Sequence, residues 1–324
     1  VDFDATYSPV MDFITFRYLI SLTMSEQLKM RLMDVVTAYL YGKVDNDINM
    51  RTPAGLENND KTPSKTHCVK LQRSLYGLKQ SGRIWYQQLR DFLLCKKFIM
   101  SELCPCIFIL RYETHFVIIA VYVDDLNLIG TQHAIEKTAN WLKSEFEMKD
   151  LGTTSFCLGL QLSHVQNGIL LHQTAYTRKI LKRFHMDASH PLSSPMVVCS
   201  LDITKDPFRP CEEGEECLPQ DFPYLAAIGA LMFLAICTRP DIAFAVSLLA
   251  RYSARPTKRH WNGVKHVFRY LRGTEDLGLF YNDDCVFIGY ADAEYLSDPH
   301  VGISQTGYVF LRQGAAISWK STKK

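Results

Sequence analysis

The chain has 324 residues, 47% apolar and 22% charged, with a formal net charge of +2. This length exceeds one ordinary core and calls for two or three lobes, while the composition excludes a largely disordered chain. The longest apolar runs, Phe116 to Val123 and Leu225 to Cys237, are too short or too interrupted to span a bilayer, and the scattered cysteines fit buried thiols of an intracellular protein. The opening Val1-Asp2-Phe3-Asp4 has neither an initiator Met nor a secretory pattern, so the chain is expected to be part of a longer one.

The first informative element is Leu32 to Gly42, an apolar, β-branched run that predicts a strand leading into a turn or helix, with Asp34 inside it. Taken alone, such an Asp is equally well an N-cap or turn residue. Next, Leu71 to Tyr86 mixes Gly, amide, cation and aromatic groups ahead of a helix that runs to about Leu94. That mixture suits a template base and an incoming nucleotide.

Phe116 to Gly130 predicts strand, tight turn, strand. Its first strand is apolar on both faces yet ends in Asp124 and Asp125. Adjacent, partly buried carboxylates repel each other and call for a cation, whereas a plain hairpin turn accounts better for one exposed Asp than for two. A helix from Ala134 to Phe146 follows, then Lys149, which is either a general acid or a solvated turn residue.

Two acid-free stretches come next. Leu151 to Met186 carries Arg178, Lys179, Lys182 and Arg183 on a predicted helix, Thr174 to His185. The 33 residues from Ile242 to Thr274 contain seven Lys or Arg; Lys258, Lys265, Arg269 and Arg272 repeat there at helical spacing beside an apolar stripe of Trp261, Val264, Phe268 and Leu271. Such faces suit phosphate backbones, and equally suit plain solvation. Between them, Val197 to Asp221 is rich in Pro, Asp and Glu and predicts a solvated linker. A helical region from about Pro223 to Arg272 and short strand-like segments from Val286 to Trp319 complete the chain.

Asp34, Asp124 and Asp125 together offer the oxygen-rich ligand set that Mg²⁺ prefers when phosphates and water complete its shell. Three carboxylates suffice for two ions roughly 3.5 to 4 Å apart, the arrangement that clamps attacking and leaving oxygens in phosphoryl transfer.

These three segments, in this order, closely resemble the A, B and C motifs of copia-type retrotransposon reverse transcriptases: Asp34 in its extended context, Ser74-Leu-Tyr-Gly-Leu-Lys-Gln80, and Tyr122-Val-Asp-Asp125. The resemblance continues through Phe146 to Gly152, Tyr176 to Pro195, Thr238 to Ala243, Pro256 to Gly273, Gly289 to Ala293 and Gly307 to Phe310, and so covers nearly the whole chain. It implies an α+β right-hand polymerase: fingers and an antiparallel palm over 1–196, an acidic linker over 197–222, a helical thumb or connection over 223–284, and the start of a ribonuclease H-like α/β domain over 285–324. The implied reaction is RNA-directed DNA synthesis in a Pol polyprotein, with RNA template, DNA primer or hybrid and deoxynucleoside triphosphates as partners and protease and integrase as neighbouring parts. The implied setting is a cytoplasmic virus-like particle with a nuclear stage.

The resemblance also assigns roles. Asp34, Asp124 and Asp125 become the catalytic carboxylates on two Mg²⁺ ions, with Mn²⁺ as a substitute. Tyr39 matches the aromatic gate that excludes a ribose 2′-hydroxyl, Gln80 a contact to the nucleotide, Val123 a residue beside the primer end, and Gly159 part of the primer grip. Lys258, Lys265, Arg269 and Arg272 are expected to face primer and template. Asp292 matches the first acid of a ribonuclease H site; that activity needs further carboxylates and is not expected of this chain. The alternative is an inactive transposon remnant that at most binds nucleic acid. A nucleotide cyclase explains neither the Gln80 segment nor the basic helices.

Overall fold

A computed structural model describes residues 6–44, 46–53, 55, 68–112, 114–197, 206–284, 286–298, 300 and 303–323. The chain forms two compact units, one built from Val1–Asp12 and Leu28–Thr154, the other from Phe13–Gln27 and Ser155–Lys324.

The first unit is organised by a sheet of six antiparallel strands. In chain order the elements are β1 (Lys29–Val35), β2 (Asn49–Arg51), β3 (Cys68–Lys70), α2 (Ser81–Cys95), β4 (Ile99–Met100), β5 (Ile107–Tyr112), β6 (His115–Tyr122), β7 (Asp125–Gly130), α3 (Gln132–Glu145) and β8 (Met148–Thr153). The sheet order is β4-β5-β6-β7-β1-β8, and β2 and β3 pair separately. The predicted strand-turn-strand is the β6-β7 hairpin. Its place in the middle of the sheet explains why Val117 to Val121 are apolar without alternation: both faces are buried. Helix α3 lies on β6, β7 and β1 through Ala134, Ile135, Thr138, Ala139 and Leu142. Arg31 of β1 and Lys143 of α3 converge on Asp150 of β8, tying that outer strand to the rest.

The second unit contains α1 (Phe13–Ser25), β9 (Phe156–Cys157), β10 (Leu160–Val165), β11 (Gly168–His172), α4 (Thr174–Arg183), α5 (Tyr224–Cys237), α6 (Ala243–Ala250), α7 (Lys258–Gly273), β12 (Gly278–Tyr281), β13 (Phe287–Asp298), β14 (Ile303–Arg312) and β15 (Ala315–Lys323). Two antiparallel sheets, β12-β11-β10-β9 and β13-β14-β15, accompany the helices. Helix α7 starts at a reciprocal cap between Thr257 and His260, and its apolar stripe, Val264, Val267, Phe268 and Leu271, enters a core shared with α4, α5 and α6.

Arg17 of α1 is 2% exposed. Its guanidinium donates to the carbonyls of Ile317 (2.8 Å), Ile236 and Cys237 (2.9 Å each) and lies 4.1 Å from the Trp319 ring centroid. Two of those carbonyls sit at the C-terminal end of α5, where unpaired backbone oxygens and the helix dipole both favour a cation.

Two expectations change. The stretch 197–222 is anchored at Asp206 and Phe208 where it is described (198–205 lie outside the described residues), while most of its other described residues stay exposed or half-buried. Phe208 is 3% exposed in the helical core, the Tyr252 hydroxyl donates to its carbonyl, and Arg259 reaches Glu215 at 2.5 Å as well as the carbonyls of Pro207 and Arg209. Glu212 and Glu215 find arginine partners, and one aromatic anchor outweighs a polar composition. Within 223–284, expected to be helical, Gly278–Tyr281 forms β12, which pairs with β11, so one sheet joins segments on either side of the expected linker. As expected from the sequence for 286–319, the described residues there form mainly the antiparallel strands β13 to β15.

Candidate active site

The three acids gather at one end of neighbouring strands in the first unit. Asp34, next to last in β1, is the register partner of Asp125, the first residue of β7, and Asp124 lies in the two-residue turn that joins β6 to β7. Directly opposed residues in an antiparallel pair carry their Cβ atoms about 4.5–5.5 Å apart on one face. The row continues outward on both sides, to Lys149 beyond Asp34 and to Tyr122 beyond Asp125. The Lys149 ammonium lies 3.9 Å from Asp34 Oδ2 and is well exposed.

Electrostatics reflect this crowding. Burial raises the carboxyl of Asp34 above its ordinary value and the charge of Asp124 raises it further, with Lys149 opposing. Burial also raises Asp125, reinforced by Asp124 and then Asp34. Acids held beside one another against their own charge favour a nearby cation, and all-oxygen donors favour a hard one. Among the described residues no three His, Cys, Asp or Glu side chains form a ready-made ligand group.

The backbone around the acids is strained on both sides. Val123, the first turn residue before Asp124, has φ of 57°, and Thr37, three residues after Asp34, has φ of 52°. Both are β-branched, for which the left-handed region is a genuine outlier, and such conformations cost about 1–3 kcal/mol each. A two-residue hairpin turn with positive φ at its first position alone follows the pattern usually occupied there by Gly. Neighbouring donors hold it: the Trp85 indole Nε1 donates to the Val123 carbonyl at 2.8 Å, and the Val35 N–H donates to the Asp124 carbonyl at 3.0 Å.

The segment 71–80 is laced onto the chain that follows Asp34. The Ser74 hydroxyl donates to the Tyr39 carbonyl, the Ser74 N–H to the Gly42 carbonyl at 2.9 Å, and Arg73 to the Leu40 carbonyl at 3.3 Å. Gly42 is required there, because an added Cβ would come within 2.2 Å of Ile84 Cγ2. The lacing brings the Tyr39 ring to 4.5 Å from that of Tyr76. Burial and then Asp124 raise the Tyr39 phenol; for Tyr76 the charge of Asp34 adds to the same two causes. Both tyrosines therefore stand within the field of the carboxylates.

Sequence-predicted residues distribute as follows. Asp34, Asp124, Asp125, Tyr39 and Val123 come together in the first unit. Gln80 is 3% exposed where it precedes α2, while Tyr76, which the sequence left without a role, is 55% exposed beside Tyr39. The other expected site residues belong to the second unit. Gly159, with φ of 78°, turns the chain between β9 and β10. Asp292 is exposed on β13 opposite Gly307. Arg269 and Arg272 of α7 donate to the carbonyls of His190 (2.8 Å) and Asp187 (2.7 Å), whereas Lys258 and Lys265 show no hydrogen bond or ion pair among the described residues. Trp85 was also missed as a site residue. The signal available was its indole, a donor that must find an acceptor when buried.

Known proteins match the chain over nearly its whole length. Residues 1–198 match the family described as reverse transcriptase (RNA-dependent DNA polymerase). Across 99% of its length the chain is 37% identical to the retrovirus-related Pol polyprotein from transposon TNT 1-94 of Nicotiana tabacum, and across 100% it is 31% identical to that from transposon RE2 of Arabidopsis thaliana. It spans only 24% and 22% of those two proteins. It is also 30% identical, over 90% of its length, to a transposon Ty5-1 protein of Saccharomyces cerevisiae, of which it covers 92%. An acid-bearing hairpin set beside a third acid, together with this full-length similarity, places the chain in the reverse transcriptase family of copia-type retrotransposon Pol polyproteins.

Proposed function

We propose that this chain is an RNA-directed DNA polymerase segment whose reaction centre is the carboxylate set Asp34, Asp124 and Asp125. The carrying observation is the register pairing of Asp34 with Asp125 beside the turn that presents Asp124. The donors fit Mg²⁺. They are all carboxylate oxygens whose charges repel until neutralised, and Mg²⁺ takes such oxygens with substrate phosphates and water completing its shell. Bound there, the metal supplies charge neutralisation and Lewis-acid activation for nucleotidyl transfer.

The remaining work falls to the chain's own groups. Asp34 and Asp124 would be the main ligands of the metal and Asp125 the accompanying acid, brought to one end of β1 and the β6-β7 hairpin. Tyr39 lines the sugar side and selects deoxynucleotides by closing off space for a 2′-hydroxyl. Val123 meets the primer end, whose 3′-hydroxyl attacks the α-phosphate while pyrophosphate departs. The partners are an RNA template, a DNA primer and deoxynucleoside triphosphates. Lys258 and Lys265 of the second unit offer phosphate contacts, and Gly159 belongs to the primer-holding turn. Strands β13 to β15, carrying Asp292, are read as the ribonuclease H-like part.

The test is primer extension on an RNA template with Mg²⁺, comparing this chain with Asp124→Asn. The native chain is expected to extend the primer and the variant to lose about a hundredfold or more of that rate. Equal, negligible incorporation by both overturns the polymerase reading, and salt-sensitive hybrid binding without extension identifies a nucleic-acid-binding remnant instead.

A further inference from the structure

We propose that Trp85 is a positioning residue that holds the Val123-Asp124 turn in its reactive shape through its indole N–H, a role that rests on the polymerase reading above. The turn does not hold itself. Its first residue is a valine with φ of 57°, and a β-branched side chain leaves that region unless its surroundings over-determine it. Two donors supply the determination, one to each carbonyl of the turn: Trp85 Nε1 to Val123 O at 2.8 Å and Val35 N–H to Asp124 O at 3.0 Å. The second is a backbone group that any residue but proline provides. The first is a side chain, and tryptophan alone among the large apolar residues combines core packing with a single fixed N–H donor.

The indole is itself immobilised. Trp85 is 1% exposed, and its ring is 5.9 Å from Tyr41 and 5.2 Å from Phe146, centroid to centroid. Phe146 also contacts Tyr41 and Phe92, and the Tyr41 hydroxyl accepts from the Glu147 N–H at 2.7 Å. The donor is thus aimed by an aromatic cluster that fixes its position to within ordinary packing tolerance. Trp85 is buried away from the surface that a substrate would reach. It acts on the position of Asp124 through the Val123 carbonyl.

This division predicts a signature that general loss of packing does not produce. Trp85→Phe keeps an aromatic ring in the cluster and deletes the donor. In primer extension kcat is expected to fall about tenfold, with KM for the deoxynucleotide within about twofold of native. Val123→Gly removes the strain that the indole opposes, so in that background the same substitution is expected to lower kcat by less than about threefold. Hydrogen exchange over 121–126 reports on the turn without any need for activity: Trp85→Phe is expected to speed it while exchange in α3 stays native. Faster turn exchange with a selective kcat loss supports the proposal. Unchanged turn exchange overturns it, as does a kcat loss equal in the native and Val123→Gly backgrounds, or faster exchange with native kcat. A native chain no more active than Asp124→Asn counts against the polymerase reading alone, and turn exchange then decides the role of Trp85.

Discussion

Asp34 and Asp125 are register partners across β1 and β7, so each carboxylate is held beside a like charge by the ladder itself. Both carboxyls are raised above their ordinary values, chiefly by burial. A raised acid binds its proton more tightly in the folded state; its stabilising contribution is complete below the usual carboxylate range and is lost as pH rises through the raised value. Asp125→Asn is therefore expected to melt higher than the native chain at pH 7 and to differ little from it at pH 3.5. Millimolar Mg²⁺ is expected to raise the native melting temperature at pH 7 and to do so less for the variant. A variant that melts lower at pH 7 refutes this account.

Arg17 is expected to be among the most sensitive positions outside the site. Arg17→Ala leaves the carbonyls of Ile236, Cys237 and Ile317 without this donor and opens a space beside Trp319, at a combined cost of about 3 kcal/mol or more. Arg17→Lys keeps the charge and loses the planar fork, so an intermediate loss is expected. Urea unfolding followed by tryptophan fluorescence reads both, and native stability for the Ala variant removes the assigned role.

The cations of α7 divide into two kinds. Arg269→Ala is expected to lower stability by about 1 kcal/mol, since it releases the His190 carbonyl, and to leave the salt dependence of hybrid binding unchanged. Lys265→Ala is expected to leave stability within about 0.5 kcal/mol and to reduce the slope of log affinity against log salt by about 0.9. Binding titrations between 50 and 200 mM salt, roughly the range over which such slopes are read, distinguish the two. The opposite pattern reverses the assignment.

Phe208 tests the packing of the acidic stretch. In a solvated linker Phe208→Ala is nearly silent; in the core seen here it is expected to cost about 3–5 kcal/mol. Thermal unfolding decides between these outcomes.

Local chemistry made much of the first unit legible. The unbroken apolar run of β6, the acids ending it, and the strand around Asp34 each follow from burial and pairing that a sequence displays directly. Gln80 and Tyr76 show where legibility stops: four residues apart in one mixed segment, they differ in burial because Ser74 and Arg73 lace that segment to the carbonyls of Tyr39, Leu40 and Gly42. Backbone carbonyls carry no sequence signal, so neither that lacing nor the acceptor for Trp85 was readable. The stretch around Phe208 misled for a related reason, because Arg259 and Tyr252, which hold it, lie more than forty residues away. Likewise nothing in β12 announces that its partner is β11.

Helix α1 has a consequence for how this chain tolerates rearrangement. The chain enters the first unit, leaves it for the fifteen residues Phe13–Gln27, returns, and departs again after Thr154. No single cut separates the units: a fragment starting at Ser155 lacks the helix that carries Arg17, and one ending at Thr154 carries that helix without the carbonyls it was built to meet. An exchange of segments between related elements is expected to preserve folding only when Phe13–Gln27 and Ser155–Lys324 travel together, so two distant stretches of the gene are bound to one inheritance by the packing of one helix.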